Sequence, residues 1–453
     1  MTLAILLIFI FGYAAITLEH QLKVDKLVPA LLMMVLSWAI IYLGIPNLSV
    51  WMDPALGITH DPKCGQVMLP SLLGTIEQKR ALIDSSLLHH FGRTSEILIF
   101  LVGAMTIVEI IDHFNGFQVF KSLIKTKSKR TLLWLICFLA FFLSSLIDNL
   151  TATIVLISIV RKIVIDPELR KWYAGFIIIA ANSGGAWSPI GDVTTTMLWV
   201  NHKVGAGSLI SHLFLPSFVS LAIPLLIASK MKAFNGKVEQ IELDEKPTRN
   251  STFMLILGLL LIILVPVIKM TIHLPPYMGM MFSLGIISVA AEIISKLHFS
   301  LTNIQEANSH ASPTFKALSK IELPSILFFL GILMTIAAME SLGMIYSFGV
   351  QVQENMDANL FVTLLGVASA IVDNVPIVAA SMGMFQFGMD HEIWHFIAYA
   401  AGTGGSMLII GSAAGVVAMG MEKISFFWYF KRISLLAALG YLGGIAVFLA
   451  QLI

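Results

Sequence analysis

Charge is what this chain has little of. Only 12% of its residues are Asp, Glu, Lys or Arg, while 57% are hydrophobic; an ordinary soluble protein carries about 25% charge. So sparse a supply cannot cover a water-exposed surface, and a soluble globular domain is excluded. The signs nearly cancel, with 28 Lys and Arg against 27 Asp and Glu, which argues against a nucleic-acid partner. Cysteine is scarcer still. Cys64 lies in a loop and Cys137 in an apolar run; no disulfide between them is expected, and the redox compartment stays open. The first apolar run, Thr2 to Leu18, lacks a basic stretch ahead of it and a small-residue cleavage pattern behind it, so it is expected to be a retained span rather than a signal peptide. No Met spacing joins Cys or His clusters, which makes the 23 Met apolar filler, not copper ligands.

What is there is a succession of apolar runs of about 20 residues, each enough to cross a hydrocarbon core of roughly 30 Å as a helix. The expected class is an all-α polytopic membrane protein. Spans are expected at Thr2 to Leu18, Leu27 to Leu43, Glu96 to Ile111, Ser208 to Ser229, Phe253 to Val267, Tyr277 to Ile294, Ser325 to Phe348 and Leu435 to Ile453. An amphipathic interfacial helix is expected over Ile76 to Phe91, where Glu77, Lys79, Arg80 and Asp84 alternate with leucines. Two regions, about 132–164 and 360–387, hold an acid-amide pair at their middle: Asp148-Asn149 and Asp373-Asn374. Basic clusters flank the first region on both sides and no Lys or Arg flanks the second. By the positive-inside rule each is a re-entrant hairpin, the two opening from opposite faces. Two further regions, about 172–200 and 393–421, are broken by Gly-rich segments, Asn182 to Thr196 and Gly402 to Gly415, which cannot keep a helix continuous.

The halves repeat. Ile97 to Ile107 and Ile326 to Ile336 share seven of eleven residues, and Gly184, Gly185, Ile190 and Gly191 align with Gly404, Gly405, Ile410 and Gly411. Each half is expected to contain about five spans including one broken helix, plus one hairpin. An odd number of crossings gives the halves opposite orientation, an inverted-topology repeat covering 1–232 and 252–453 around a cytoplasmic linker, 233–251.

A carboxylate at membrane depth costs a few kcal/mol. Capping alone would be served by Ser, Thr or Asn, so Asp148, Asp192 and Asp373 point to function. Carboxylates, the amides Asn149, Asn182 and Asn374, and the hydroxyls of Ser145, Thr151, Thr194, Thr195, Ser369, Thr403 and Ser412 make a hard oxygen set suited to Na+ or Li+. Asp192 has Ser412 as its counterpart, so the first-half site is the more negative. Na+ or Li+ is therefore expected at Asp148, Asn149, Asn182 and Asp192. The bland alternative is that the threonines bond carbonyls within their own helices and the glycines serve packing. His89, His90 and His202 are candidate pH sensors, because an unperturbed imidazole titrates near ~6.5, although a surface role serves each equally well.

The segments Gly103 to Glu109, Ser145 to Thr151, Asn182 to Thr195 and Val372 to Pro376 resemble the NhaD sodium/proton antiporters of the ion transporter superfamily, which also holds arsenite and dicarboxylate permeases. That resemblance covers nearly the whole chain from span three onward. It implies transport roles for Asp148, Asn149, Asn182, Asp192, Thr194, Thr195, Ser369, Asp373, Asn374, His89 and Glu96. The function expected is a secondary antiporter, not an enzyme, exchanging cytoplasmic Na+ or Li+ for external H+ in a bacterial inner membrane, with no cofactor. Lipid is its only macroscopic partner apart from a possible second copy. The nearest rival is an anion or dicarboxylate permease, disfavoured by three acids without a midspan Lys or Arg. An intramembrane aspartyl protease would need facing continuous helices, and a channel would not need two oppositely opening hairpins.

Overall fold

The computed structural model describes residues 1–17, 22–48, 51, 75–124, 126–238, 247–299 and 312–452. Cys64, most of the irregular stretch after Pro46, part of the linker and part of the polar segment before Glu322 lie outside them. Among the described residues the structure is helical, with one isolated β-bridge, Ser128 to Lys237. Among the described residues, seven helices are long and apolar enough to cross a membrane, and five shorter apolar helices accompany them. The chain is a multi-pass membrane protein.

The order is α1 (Thr2–Thr17), α2 (Leu27–Leu43), α3 (Ile76–His113), α4 (Gln118–Leu123), α5 (Lys129–Ile147), α6 (Asn149–Ile163), α7 (Pro167–Gly185), α8 (Val193–Val200), α9 (Ala206–Ala228), α10 (Arg249–Ile272), α11 (Pro276–Phe299) and α12 (Pro313–Leu318). Then come α13 (Leu323–Ser341), α14 (Met344–Asn355), α15 (Ala358–Ala368), α16 (Asn374–Met384), α17 (Glu392–Gly404), α18 (Ala413–Glu422), α19 (Phe426–Tyr429) and α20 (Leu435–Ala450). They form two compact units, each drawing on both halves of the chain. One contains Met1–Leu98, Glu322–Val362 and Val375–Gly388; the other contains Ile99–Ile321, Thr363–Asn374 and Met389–Ile453.

Three boundaries differ from the sequence reading. The amphipathic stretch and span three are one helix, α3, because nothing between Phe91 and Glu96 breaks it: there is no proline, and Gly92 faces open space. The expected span Ser325 to Phe348 divides into α13 and α14 at Gly343, whose φ of 70° suits a residue without Cβ. The last span begins at Phe426, ahead of Lys431 and Arg432, and carries a π-helical turn at Phe430–Ser434 before α20. Lys and Arg stems can lie along an apolar helix while their heads reach water, so basic residues do not mark its end.

In the first unit, α2 packs on α13, and the Trp38 indole donates to the Met334 carbonyl at 2.9 Å. In the second unit, α7 is the central element. It is buried without interruption from Trp172 to Gly185 and exposed only at its start, and α5, α6, α9, α17 and α18 all pack against it. Caps set its ends and those of its neighbours. Ser128 accepts from Thr131 N ahead of α5, Asp166 from Glu168 N ahead of α7, and Asp192 from Thr194 N ahead of α8.

Buried Glu422, closing α18, takes Arg161 Nε of α6 at 2.9 Å and Arg170 Nε of α7 at 3.0 Å. Arg170 is also held to the carbonyls of Val164 and Ile165. Glu422→Ala leaves Arg170 with only its two carbonyls while half-exposed Arg161 turns to water, and the expected loss is about 1 kcal/mol of unfolding free energy, measurable as a fall in the detergent-solubilised melting temperature.

Candidate functional site

Two helices break where the sequence lacks the means to continue them. The first break is α7 to α8, over 186–192; the second is α17 to α18, over 405–412. Both are narrower than the Gly-rich segments: Asn182 to Gly185 complete α7, and Thr194 to Thr196 lie in the first turn of α8. The halves match in detail. Asp192 and Ser412 both cap a following half-helix, from nearly the same backbone conformation, φ −148° with ψ 148° and φ −149° with ψ 153°. Ser144 donates to the Ala181 carbonyl at 2.6 Å and Ser369 to the Ala401 carbonyl at 2.8 Å. A Cβ on Gly184 would stand 2.1 Å from the Phe141 oxygen, and one on Gly404 the same distance from the Gly366 oxygen.

The acid-amide pairs supply the second component. Between α5 and α6 the chain is interrupted by a single residue, Asp148, at φ 81° and ψ 158°. That region is essentially reserved for glycine and costs on the order of 1–3 kcal/mol elsewhere. Both oxygens of Asp148 are engaged by one residue: Oδ1 accepts Thr151 N at 2.9 Å and Oδ2 accepts Thr151 Oγ1 at 2.8 Å. Asp148 therefore caps α6, and the capping role weighed from sequence is present. A strained carboxylate where glycine would sit without cost is still an outlier that folding alone does not explain. Asp148→Gly is expected to fold with a melting temperature near wild type, measured in detergent, the lost cap offset by relieved strain.

The side chains beside the acids meet in one network. Asn149 Nδ2 donates to Asn182 Oδ1 at 3.0 Å and to Asp192 Oδ2 at 2.8 Å. Asn374 Nδ2 donates to both Asp192 oxygens, at 3.4 and 3.2 Å. Thr194 adds its N–H and its hydroxyl to Asp192 Oδ1, each at 3.0 Å. Asn182, fully buried, donates to Ser406 Oγ and Ser412 Oγ at 3.0 Å each. The network thus joins both breaks and the amide of each acid-amide pair around one carboxylate, without a hydrogen bond from Asp148, which is engaged by Thr151, and Asp192 is only 2% exposed. Asp148 and Asp373 both lie within electrostatic reach of Asp192.

Not every expected residue joins it. Thr195 bonds the Asp192 carbonyl and Thr403 the Tyr399 carbonyl, the backbone-bonding role foreseen as the bland alternative. Ser145 bonds the Phe142 carbonyl and Ser369 the Ala401 carbonyl, so both brace the backbone. His89 and Glu96 belong to α3 in the other unit, where His89 packs edge-on against His90 and Ser341 bonds His90. Ser406 is the residue whose role the sequence understated. Its hydroxyl accepts from Asn182, while its carbonyl takes the Tyr429 hydroxyl at 2.8 Å. The available signal was its place in the Gly-rich break. Among the described residues, no group of three or more His, Cys, Asp or Glu is arranged to hold a metal ion, so any cation bound here relies on amide, hydroxyl and carbonyl oxygens beside one acid. No Lys or Arg takes part in the hydrogen bonds of this network.

Comparison with known proteins shows the family. The citrate transporter (CitMHS) family model matches residues 4–395. Sodium/proton antiporter 1 of Arabidopsis thaliana is 41% identical over 99% of this chain and 72% of its own length. The Na(+)/H(+) antiporter NhaD of Alkalimonas amylolytica is 31% identical over 81% of this chain and 79% of its own. Among solved structures, the YdaH transporter of Alcanivorax borkumensis shares the fold, with a TM-score of 0.58 at 14% identity, over 92% of this chain and 97% of that one. The chain belongs to the NhaD type of the ion transporter superfamily, within the group that the citrate transporter family model describes.

Proposed function

We propose that the protein is a secondary antiporter exchanging cytoplasmic Na+ or Li+ for external H+ by alternating access. The observation that carries this is the convergence of Asn149 and Asn374, one from each acid-amide pair, on the single carboxylate of Asp192. A side-chain amide has a donor end and an acceptor end. With the nitrogen forward, two amides satisfy the carboxylate; with an oxygen forward, they accept from a protonated acid or coordinate a cation beside an ionised one. Cation and proton then exclude each other. Burial disfavours a charged carboxylate and an adjacent cation favours it, which gives the competition its energetic basis. Ser406 and Ser412 hold Asn182 so that its Oδ1 faces Asn149. Asp148 and Asp373 set the local charge and are the reserve proton carriers.

The matched caps, serine braces and glycine contacts of the two halves support inverted repeats over 1–232 and 252–453, with hairpins entering from opposite faces. Alternating access would come from motion of the broken-helix bundle against the remaining spans. The relatives named as sodium/proton antiporters support the ion pair. The name of the family model favours citrate, and a permease for that anion is the second reading; a site with one buried acid and no basic hydrogen-bond partner opposes it. Labelled-ion uptake into proteoliposomes separates the two. Antiport gives accumulation of labelled Na+ against an inward-acid pH gradient, inhibited by Li+; accumulation of labelled citrate without Na+ movement would displace the proposal.

Asn182 is the pivot, and Asn182→Leu removes its bonds to both serines and to Asn149 together. Apparent Na+ affinity is expected to fall by tenfold or more, because one orphaned buried partner alone costs about 1–3 kcal/mol and about 1.4 kcal/mol is tenfold. Initial uptake rates against Na+ concentration provide the measurement.

A further inference from the structure

The half-helices that follow the two breaks, α8 and α18, are eight and ten residues long. A helix this short does not sustain itself, so its direction is set by what fastens its two ends. At the first end of each stands a cap, Asp192 for α8 and Ser412 for α18. The far ends correspond as well. In each half-helix the penultimate residue gives its carbonyl to a cationic side chain from a different helix: Lys269 Nζ of α10 donates to the Trp199 carbonyl at 2.8 Å, and Arg161 Nη2 of α6 donates to the Met421 carbonyl at 2.7 Å.

Lys269 follows the apolar run Phe253 to Val267 in the sequence, a place where a lysine ordinarily lays its stem along the helix and puts its head in water. The structure turns it elsewhere. α10 continues to Ile272 and carries Lys269 in its last turn, partly buried, with the ammonium 4.4 Å from the centre of the Trp199 indole as well as on the Trp199 carbonyl. Phe100 of α3 meets the same indole edge-on, centroids 6.3 Å apart. A cation at the last turn of a helix has the favourable sign for the helix dipole, and one over an indole face is attracted by the ring. At the first end of α8, Thr196 Oγ1 donates to the Pro189 carbonyl at 3.0 Å, and Thr194 gives its N–H and hydroxyl to Asp192. The two ends are linked by leverage. Eight residues at ~1.5 Å each make a lever of ~12 Å, so a tilt of about 10° at one end moves the other by about 2 Å. That is enough to part Asp192 from the Asn149 and Asn374 amides, now at 2.8 and 3.2 Å.

We propose that Lys269 is a positioning residue for the cation site. By holding the last turn of α8 through the Trp199 carbonyl and indole, it keeps the first turn aimed so that the Asp192 carboxylate meets both amides. It acts through α8, at the far end of that helix from the carboxylate. Arg161 does the corresponding work on α18, where Glu422 adds a second tie to Arg170 and the cap, Ser412, carries no charge. The inference rests on the reading of Asp192 as the cation-binding carboxylate and extends it to a residue of α10.

The test has two arms on the full-length protein. Lys269→Met keeps an apolar stem against the indole and removes the charge and the donor; Lys269→Arg keeps both. In proteoliposomes, the KM for Na+ in Na+-dependent proton flux is expected to rise about fivefold in Lys269→Met, with kcat per folded transporter unchanged, and to return toward wild type in Lys269→Arg. Lys269→Gln, which keeps an N–H without the charge, is expected between the two and serves where Lys269→Met fails to accumulate. A merely structural role would lower the amount of folded protein and leave KM alone. The second arm needs no transport: the rise of melting temperature in detergent with added NaCl, against equal choline chloride, is expected to reach half its extent at about fivefold higher Na+ in Lys269→Met. Wild-type KM and wild-type Na+ dependence of melting in the variants without the charge, or a Lys269→Arg as impaired as Lys269→Met, overturns the positioning role. A wild type without Na+-specific stabilisation overturns the cation site and the inference with it. A wild type stabilised by Na+ but without coupled proton flux overturns the antiport reading alone, and the melting arm still decides Lys269.

Discussion

Asp192→Asn abolishes cation-coupled proton movement: the exchange rate is expected to fall by at least about 100-fold, with the protein still inserted and folded. The carboxylate accepts from Asn149, Asn374 and both donors of Thr194. Bonds to a charged acceptor are worth about 1.5–3 kcal/mol each, and each ~1.4 kcal/mol is a factor of ten. An amide at this position keeps one acceptor oxygen but turns an NH2 toward donors, and it can neither neutralise a cation nor carry a proton. Ser412 occupies the matching cap in the other break and cannot substitute, having no charge. The converse follows: Ser412→Asp added to Asp192→Asn restores a single buried acid beside Asn182, and partial recovery of exchange is expected. Sodium-driven quenching relief of a pH dye in everted vesicles reads both variants.

The second large effect is on folding. Gly184→Ala places a Cβ 2.1 Å from the Phe141 oxygen, with the Phe141 carbonyl carbon and Cα each at 2.7 Å. Those are backbone atoms of α5, and no rotamer change relieves them. Ordinary overpacking costs about 1–3 kcal/mol; this contact forces two buried helices apart beside the network, and failure to accumulate in the membrane is expected. Gly404→Ala repeats the clash against the Gly366 oxygen at 2.1 Å and is expected to fail in the same way. Gly207→Ala is the contrast. It lies on α9 with nothing within 4 Å, so a gain of about 0.5–1 kcal/mol in helix stability is expected. Expression level and thermal melting in detergent measure all three.

Much of this was legible in the residues. Acids at the centre of apolar runs announce Asp148, Asp192 and Asp373, and glycine pairs in corresponding places announce the breaks. The amides Asn149, Asn182 and Asn374 follow from the same segments, and all three enter the network. Hydroxyl roles were less legible, because a threonine that bonds its own helix and one that reaches an acid have the same local sequence. Thr194 reaches Asp192 while Thr195, one residue on, bonds a carbonyl. Helix boundaries slipped where no breaker residue marks them, as between the amphipathic and apolar parts of α3.

The most direct measurement is proton flux in proteoliposomes holding the purified protein, with a pH gradient imposed and Na+ then added, in the wild type and in Asp192→Asn. Na+ is expected to dissipate the gradient in the wild type, Li+ to do the same, citrate to have no effect, and Asp192→Asn to be silent toward all three. A gradient that withstands Na+ in the wild type, or that Na+ collapses equally well in Asp192→Asn, would contradict exchange centred on this carboxylate.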